Sequence, residues 1–371
     1  MNGPARMIRP ALKTLFILVL GGLASGAWGQ EAPSSTQSSE LDRLLREIQA
    51  ARTKVRYQAE QVVYVFTMHK TAVSRFQVLY AYPYLKCEST GDRPEAHVLI
   101  LEDGKHLWRY LINRKIVVKE PLREGVDEFF ARDLPENLSL IRKNYDFVIR
   151  GPVPVNDDQC RIIEFIPKWQ DRPRREIWLE EKRMVPVRVR VSLPDGRTSY
   201  MSEMRRICWD PEIKPDSFEL KVAEDTRVYE IQEQAELTLE KAQRILKRPI
   251  QLPKFVPPGY VPYNIVFRSG GPRKRLQIVY ADGLSSFSIF LEWMDRPQQR
   301  TAPPSSDSGT LASGPEQGPR IQRFGLINVL TLEVRGQRRI VVGDMQEEKL
   351  LETANSLSDA PPAPSASPSS P

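Results

Sequence analysis

Apolar residues recur at helical spacing early in the chain, where Leu41, Leu44, Leu45 and Ile48 fall on one stripe. This pattern predicts an amphipathic helix of about three turns with one buried face. Ser39 stands where the N-cap belongs, with Glu40 and Asp42 in the first turn. From residue 61 the period changes to two. Residues 61–69, 75–82, 97–101, 106–112 and 115–119 predict strands, with Asp103-Gly104 and Asn113-Arg114 as tight connections. An irregular or helical stretch at 124–142 follows. Strands resume at 145–150, 160–166, 175–180, 185–193 and 198–205. The clearest is the run in which Val185, Val187, Val189 and Val191 alternate with Pro186, Arg188, Arg190 and Ser192, one face buried and one wet.

About ten strands after a single helix predict an α+β fold whose first domain, residues 40–222, is one strongly curved antiparallel sheet around that helix. Residues 223–237 are polar, lack a clear period and read as a linker. A smaller mixed α/β domain is expected over 238–357. Thr238 caps a helix through Lys247, and strands follow at 263–268, 276–281 and 285–293, the middle pair turned by Asp282-Gly283. The low-complexity stretch 296–319 reads as a mobile loop inside this domain, since strands resume at 326–334 and 339–342. Asp344 and Glu347 form a capping box for a last helix that buries Leu350, Leu351, Ala354 and Leu357. A Pro-Ala-Ser tail, 358–371, is expected to be disordered.

The first 29 residues follow a different logic. Arg6, Arg9 and Lys13 precede an apolar run at 15–23, and small residues lead to Ala27-Trp28-Gly29 before Gln30. This is the pattern of a cleavable signal peptide, and the run is shorter than the roughly 20 residues that span a bilayer. No Cys stands at the cleavage point, so the expectation is an exported protein released after cleavage, with a flexible start at 30–39. The formal charge of +7 includes three basic residues of the signal. Neither that mild excess nor export suits a nucleic-acid partner.

Three cysteines, Cys87, Cys160 and Cys208, in an oxidising compartment imply one disulfide and one thiol. If the last four strands pair in order, Cys160 and Cys208 lie three strands apart, roughly 14 Å, beyond disulfide reach. A pairing through Cys87 is then favoured. Catalytic chemistry is absent from the sequence patterns. His69, His97 and His106 stand in no zinc-like spacing, although His97 and His106 are placed to face each other across the Asp-Gly hairpin. No nucleophile elbow, Walker loop or dinucleotide fingerprint occurs. Asp103 and Asp282 sit at turns, which already explains them. The chain therefore reads as a non-enzyme without metal or cofactor.

Two sets of residues suggest binding. Tyr64, Phe66, Phe76, Trp108, Tyr110 and Trp178 place aromatic rings on the large sheet, where a single short helix can leave an apolar cleft. Basic clusters at Arg172, Arg174 and Arg175, at Arg205-Arg206 and at Arg273, Lys274 and Arg275 suit solvated surface, anionic lipid headgroups or an acidic partner segment.

The order of these features resembles the MucB/RseB family of envelope-stress regulators. In the first domain the resemblance rests on the Leu41–Ile48 stripe, Asp103-Gly104-Lys105 with Trp108 and Tyr110, Tyr145-Asp146-Phe147-Val148, and Cys160-Arg161-Ile162-Ile163 before Pro167. Ile177-Trp178-Leu179 and the Leu193-Pro194-Asp195-Gly196 turn extend it. In the second it rests on Leu252-Pro253, Pro258-Gly259-Tyr260, the run from Val279 to Phe290, and Val341-Val342-Gly343-Asp344. The resemblance implies a LolA/LolB-like half-barrel followed by a smaller domain. It also implies a periplasmic negative regulator that binds the periplasmic segment of an anti-sigma factor and senses a lipoprotein or lipopolysaccharide acyl chain, being peripheral to the membrane at most. On this reading Tyr280, Asp282, Gly283, Phe287, Arg273 and Arg275 serve partner binding, while the six aromatics line the acyl cleft. A lipoprotein or lipid carrier of the LolA type is the alternative. The long loop at 296–319, the Pro-rich tail, Cys87 and Cys208 depart from the family pattern.

Overall fold

A computed structural model describes residues 35–67, 70–90, 97–122, 138–214, 216–234, 237–250, 252–269, 273–294, 319–324, 327–334 and 337–357. The signal segment 1–29, His69, most of the loop at 296–319 and the tail 358–371 lie outside them. Helix α1 spans Ser35–Arg52. It begins four residues before Ser39, so Ser39 is inside the helix and does not cap it. The strands of the first half are β1 (Arg56–Phe66), β2 (Thr71–Ala81), β3 (Tyr84–Ser89), β4 (Val98–Asp103), β5 (His106–Leu111) and β6 (Ile116–Pro121). After helix α2 (Leu138–Asn144) come β7 (Tyr145–Val155), β8 (Asp158–Pro167), β9 (Arg174–Glu180), β10 (Val185–Ser192), β11 (Thr198–Trp209) and the short β12 (Arg227–Glu230).

Among the described residues these twelve strands form one sheet in the order β12-β6-β5-β4-β3-β2-β1-β11-β10-β9-β8-β7. It is two meanders joined where β1 pairs antiparallel with β11. The sheet does not close into a barrel, because β12 and β7 are its edges. Part of the expected linker is strand, since Arg227–Glu230 adds to β6 as a parallel strand.

Strand alternation gives the sheet two chemically different faces. Phe147, Ile163, Phe165, Ile177 and Leu179 bury one face of β7–β9 under Leu41, Leu44, Leu45 and Ile48 of α1. Each of those helix side chains is at most 2% exposed, a burial that stabilises the fold by about 1.5–3 kcal/mol per residue. The same inner face continues across β1–β4 through Tyr57, Ala59, Val78, Leu85 and Cys87. On the outer face of β4–β6, Leu99, Tyr110 and Val117 are covered by Leu220, and Tyr84 stacks on Phe218 at 5.3 Å.

By compactness the chain divides into two units, and the first takes in Asp282–Ser286 and Arg323–Ile327 besides everything through Ile231. The second unit contains a seven-stranded sheet in the order β13-β14-β15-β16-β19-β18-β17. Its strands are β13 (Gln232–Gln234), β14 (Val261–Ser269), β15 (Arg273–Ala281), β16 (Ser286–Met294), β17 (Arg320–Phe324), β18 (Ile327–Val334) and β19 (Gln337–Gly343). Helices α3 (Leu239–Leu246) and α4 (Glu347–Ser356) pack on its core with Leu276, Ile278, Phe287, Ile289 and Val341. Thr238 caps α3 as expected, its hydroxyl accepting from the Lys241 N–H at 3.2 Å. Gln346 is the N-cap and makes no side-chain bond, while Asp344 accepts from the Tyr260 hydroxyl at 3.3 Å.

Two further expectations are corrected. All three cysteines are free, Cys87 and Cys160 buried and Cys208 exposed. Cys160 on β8 and Cys87 on β3 each lie three strand positions from Cys208 on β11, out of bonding reach on either side. His97 and His106 do not face each other. His97 lies opposite Ile112, whose N–H donates to its carbonyl, whereas His106 begins β5 at the other end of the hairpin and contacts Asp103 at 3.3 Å.

Candidate functional site

A shallow apolar cleft with a cavity volume of about 50 Å³ lies where α1 ends on the inner face of the first sheet. The last turns of α1 supply Ile48 and Arg52, and the chain re-enters the cleft at Val55 before β1 begins. Tyr57, Tyr80, Leu85 and Glu102 follow, one from each of β1 to β4. The register explains this set, because Tyr57 pairs with Tyr80, Tyr80 with Leu85, and Leu85 with Glu102. They form one row across four strands. Met184, Val185 and Pro186, from the turn between β9 and β10, complete the wall.

The two tyrosines stack at 5.3 Å with 25° between their planes. The Tyr80 hydroxyl donates to the Arg52 carbonyl at 3.1 Å, satisfying one of the acceptors that a helix end leaves open. Arg52 Nε donates back to that hydroxyl at 3.3 Å. The cleft is thus an aliphatic and aromatic slot with one guanidinium and one carboxylate among its lining groups. Among the described residues no cluster of His, Cys, Asp or Glu could hold a metal ion.

The six aromatics expected in a cleft are not brought together. The ladder puts Tyr64, Phe66, Trp108, Tyr110 and Trp178 on the outer face and only Phe76 on the inner one. Tyr64 and Phe66 stack on each other at 6.1 Å, Trp108 and Tyr110 join the cluster around Leu99, and Trp178 packs with Val155, Cys160 and Val187. The register instead turns the rings of Tyr57 and Tyr80 to the inner face beside Phe76. Asp103 is nonetheless an organiser. It accepts from Trp108 Nε1 at 2.8 Å and from the Lys105 and His106 N–H groups at 2.8 and 2.6 Å. Burial alone would raise its pKa, but these bonds outweigh it and hold the carboxyl below the usual value.

The residues expected to meet a partner are likewise drawn inward. Tyr280 and Phe287 are core residues of the second unit, stacked at 4.8 Å, with Tyr260 edge-on to Phe287 at 5.0 Å. Asp282 is fully buried in the first unit. Its Oδ2 pairs with the Arg172 guanidinium and accepts from the Tyr145 hydroxyl at 2.8 Å. Its Oδ1 accepts from the Leu284 and Ser285 N–H groups at 3.0 and 2.7 Å. Asn144 Nδ2 donates to its carbonyl at 2.9 Å, and Trp169 Nε1 donates to Asn144 Oδ1 at 3.1 Å. Burial, and then the Asp282 charge, push the Tyr145 hydroxyl well above its usual pKa, so it stays a donor. Gly283 has φ +107°, and a Cβ there would stand 2.7 Å from the Ile141 nitrogen. Arg275 pairs with Glu292, which Arg338 also approaches at 3.5 Å. The backbone of Arg273 opens β15.

The first unit is thus a helix laid on one face of a broad open sheet, with a shallow apolar cleft at the helix end. Residues 102–206 match the family described as the MucB/RseB N-terminal domain. No curated protein matches it in sequence. The solved complex of Pseudomonas aeruginosa MucA/MucB shares 14% identity, with a TM-score of 0.57 over 85% of this chain and 97% of that one. MucB in complex with MucA(peri) is 15% identical, with a TM-score of 0.54 over 84% and 96%. A further MucB structure is 15% identical, with a TM-score of 0.53 over 87% and 98%. At these identities the likeness is one of fold.

Proposed function

We propose that this chain is a periplasmic binding protein that regulates envelope-stress signalling by holding the periplasmic segment of a membrane-spanning anti-sigma factor. The observation that carries this reading is the extent of the shared fold. More than four-fifths of the chain follows structures of MucB, two of them solved with MucA. The signal-like N-terminus supports export, and no helix among the described residues is long and apolar enough to cross a membrane. Function here is binding and not catalysis.

The inner-face cleft supports the finer part of the proposal. An acyl chain of a lipoprotein or lipopolysaccharide enters between Tyr57, Tyr80 and Val185, and its occupancy weakens the hold on the anti-sigma segment by a coupling of two binding events. The same cleft favours the second reading, a lipid carrier, which needs no protein partner. Calorimetric titration of residues 30–371 against the periplasmic segment of the organism's single-pass anti-sigma factor separates the two. Regulation requires saturable one-to-one binding that an added acyl ligand weakens. Acyl binding with no affinity for that segment leaves the carrier. Filling the cleft with Met184→Trp is expected to lower affinity for a fluorescent acyl probe at least tenfold, about 1.4 kcal/mol.

A further inference from the structure

The outer face of the first sheet divides at β2. On β3–β6 it is covered by Phe218 and Leu220. On β7–β11, β1 and β2 it is lined with arginines. Arg150 on β7, Trp178 on β9, Arg188 on β10, Glu203 on β11 and Arg75 on β2 stand in one cross-strand row. The neighbouring row holds Glu164, Glu176, Arg190, Tyr64 and Val73. Arg174 reaches Glu164 at 3.0 Å, Arg205 pairs with Glu203, and Arg206 approaches Glu60 at 3.8 Å.

Charge on this face is sorted by depth. The carboxylates of Glu60, Glu164, Glu176 and Glu203 are only 7–12% exposed, whereas the seven guanidinia above them are 30–82% exposed. Anything approaching these two rows meets the guanidinia first, and the seven outnumber these four carboxylates by three. Each guanidinium offers five N–H donors in a planar fork, more than its carboxylate takes up. Arg188 and Arg190 also lie over Trp178 at 5.6 and 5.4 Å, which holds two forks in place by cation–π attraction.

We propose that this arginine face docks the protein on an anionic phospholipid bilayer. The array extends in two dimensions. Six interstrand steps span about 29 Å, so the cations cover an area, whereas an extended acidic peptide presents its charges along a line. A headgroup layer presents phosphates over such an area, and Arg forks match phosphate oxygens two at a time. One margin is apolar, with Tyr64 stacked on Phe66 and, beside Tyr64, Val73 at 45% exposure. Half-buried aromatic rings next to basic residues suit the boundary between headgroups and acyl chains.

The test is co-sedimentation of residues 30–371 with vesicles of phosphatidylcholine alone and with phosphatidylglycerol added, at low and high salt. The expected result is binding to the anionic vesicles only, lost at high salt. Arg150→Gln, Arg190→Gln and Arg205→Gln together should lower partitioning by about two orders of magnitude. Because those arginines neutralise buried carboxylates, the gentler pair Arg75→Gln and Arg206→Gln, whose contacts with Glu60 are long, is measured beside them. It should lose about tenfold with an unchanged melting curve. Equal binding to both vesicle types would report the acyl cleft and overturn the proposal. Anionic binding indifferent to all five substitutions would overturn it too, as would capture of an acidic peptide by a protein that ignores vesicles.

Discussion

Cys160 shows how a side chain's address decides its chemistry. It is fully buried on β8, and burial pushes its thiol up to about 11. The unfolded thiol ionises near about 8.5, so above that pH the unfolded chain gives up its proton first. This contribution to stability is intact below about pH 8.5 and declines as pH rises toward the folded value. In native protein near neutral pH, alkylation should modify the exposed Cys208 and spare Cys87 and Cys160, with all three reacting in denaturant. Mass spectrometry of the labelled chain reads this directly, and Cys160→Ala should flatten the alkaline part of the stability profile. What the sequence conceals at this scale is direction. The type of Tyr64, Trp108 and Trp178 is plain, but the face each occupies depends on a ladder register that no single strand reveals. A disulfide is likewise a statement about distance, and three cysteines on separated strands of one sheet do not supply it.

At the scale of elements, local patterns were informative where the buried side chains set the period. The valine alternation foretold β10, the leucine stripe foretold the buried face of α1, and Thr238 foretold the start of α3. Polar or crowded segments were opaque. β12 is exposed along its whole length and has no apolar rhythm, while β3 follows β2 so closely that the pair reads as one strand and a loop. The Asp282 turn is the instructive case. Asp-Gly between two apolar runs correctly signals a hairpin, yet nothing local says that the carboxylate is sunk against Arg172, itself 3% exposed. Asp282→Ala would strand that guanidinium and the Tyr145 hydroxyl, an uncompensated burial expected to cost about 3–5 kcal/mol. Gly283→Ala should also destabilise, through its positive φ and the Ile141 backbone. Urea unfolding of both variants measures the loss, and a wild-type midpoint for Asp282→Ala would rule out the buried pair as a structural anchor.

For the molecule as a whole, the polar stretch near residue 230 lies where the two compact units divide, but Asp282–Ser286 and Arg323–Ile327, read from the sequence as second-domain residues, fall in the first unit. The order of strands was not legible, because the decisive pairing joins β1 to β11 across most of the first unit. That seam is stitched by Gln61 Nε2 donating to Ser202 Oγ at 2.9 Å in the interior, and by Arg205 donating to the Tyr64 hydroxyl at 2.8 Å. It gives the chain a timetable as well as a shape. Each meander can assemble from neighbouring hairpins as it emerges, but the edge of β1 away from β2 has no partner until residues beyond 200 are present. Closing so long a loop is entropically slow, and until then the edge of β1 stays open to any other extended chain. The seam therefore belongs to the last stage of folding. Ser202→Ala, which leaves a buried amide short of an acceptor at about 1–3 kcal/mol, should speed unfolding while leaving refolding nearly unchanged. A newly made chain would pass through a period in which it is half built and adhesive, and the cell must cover that edge until the second meander arrives to claim it.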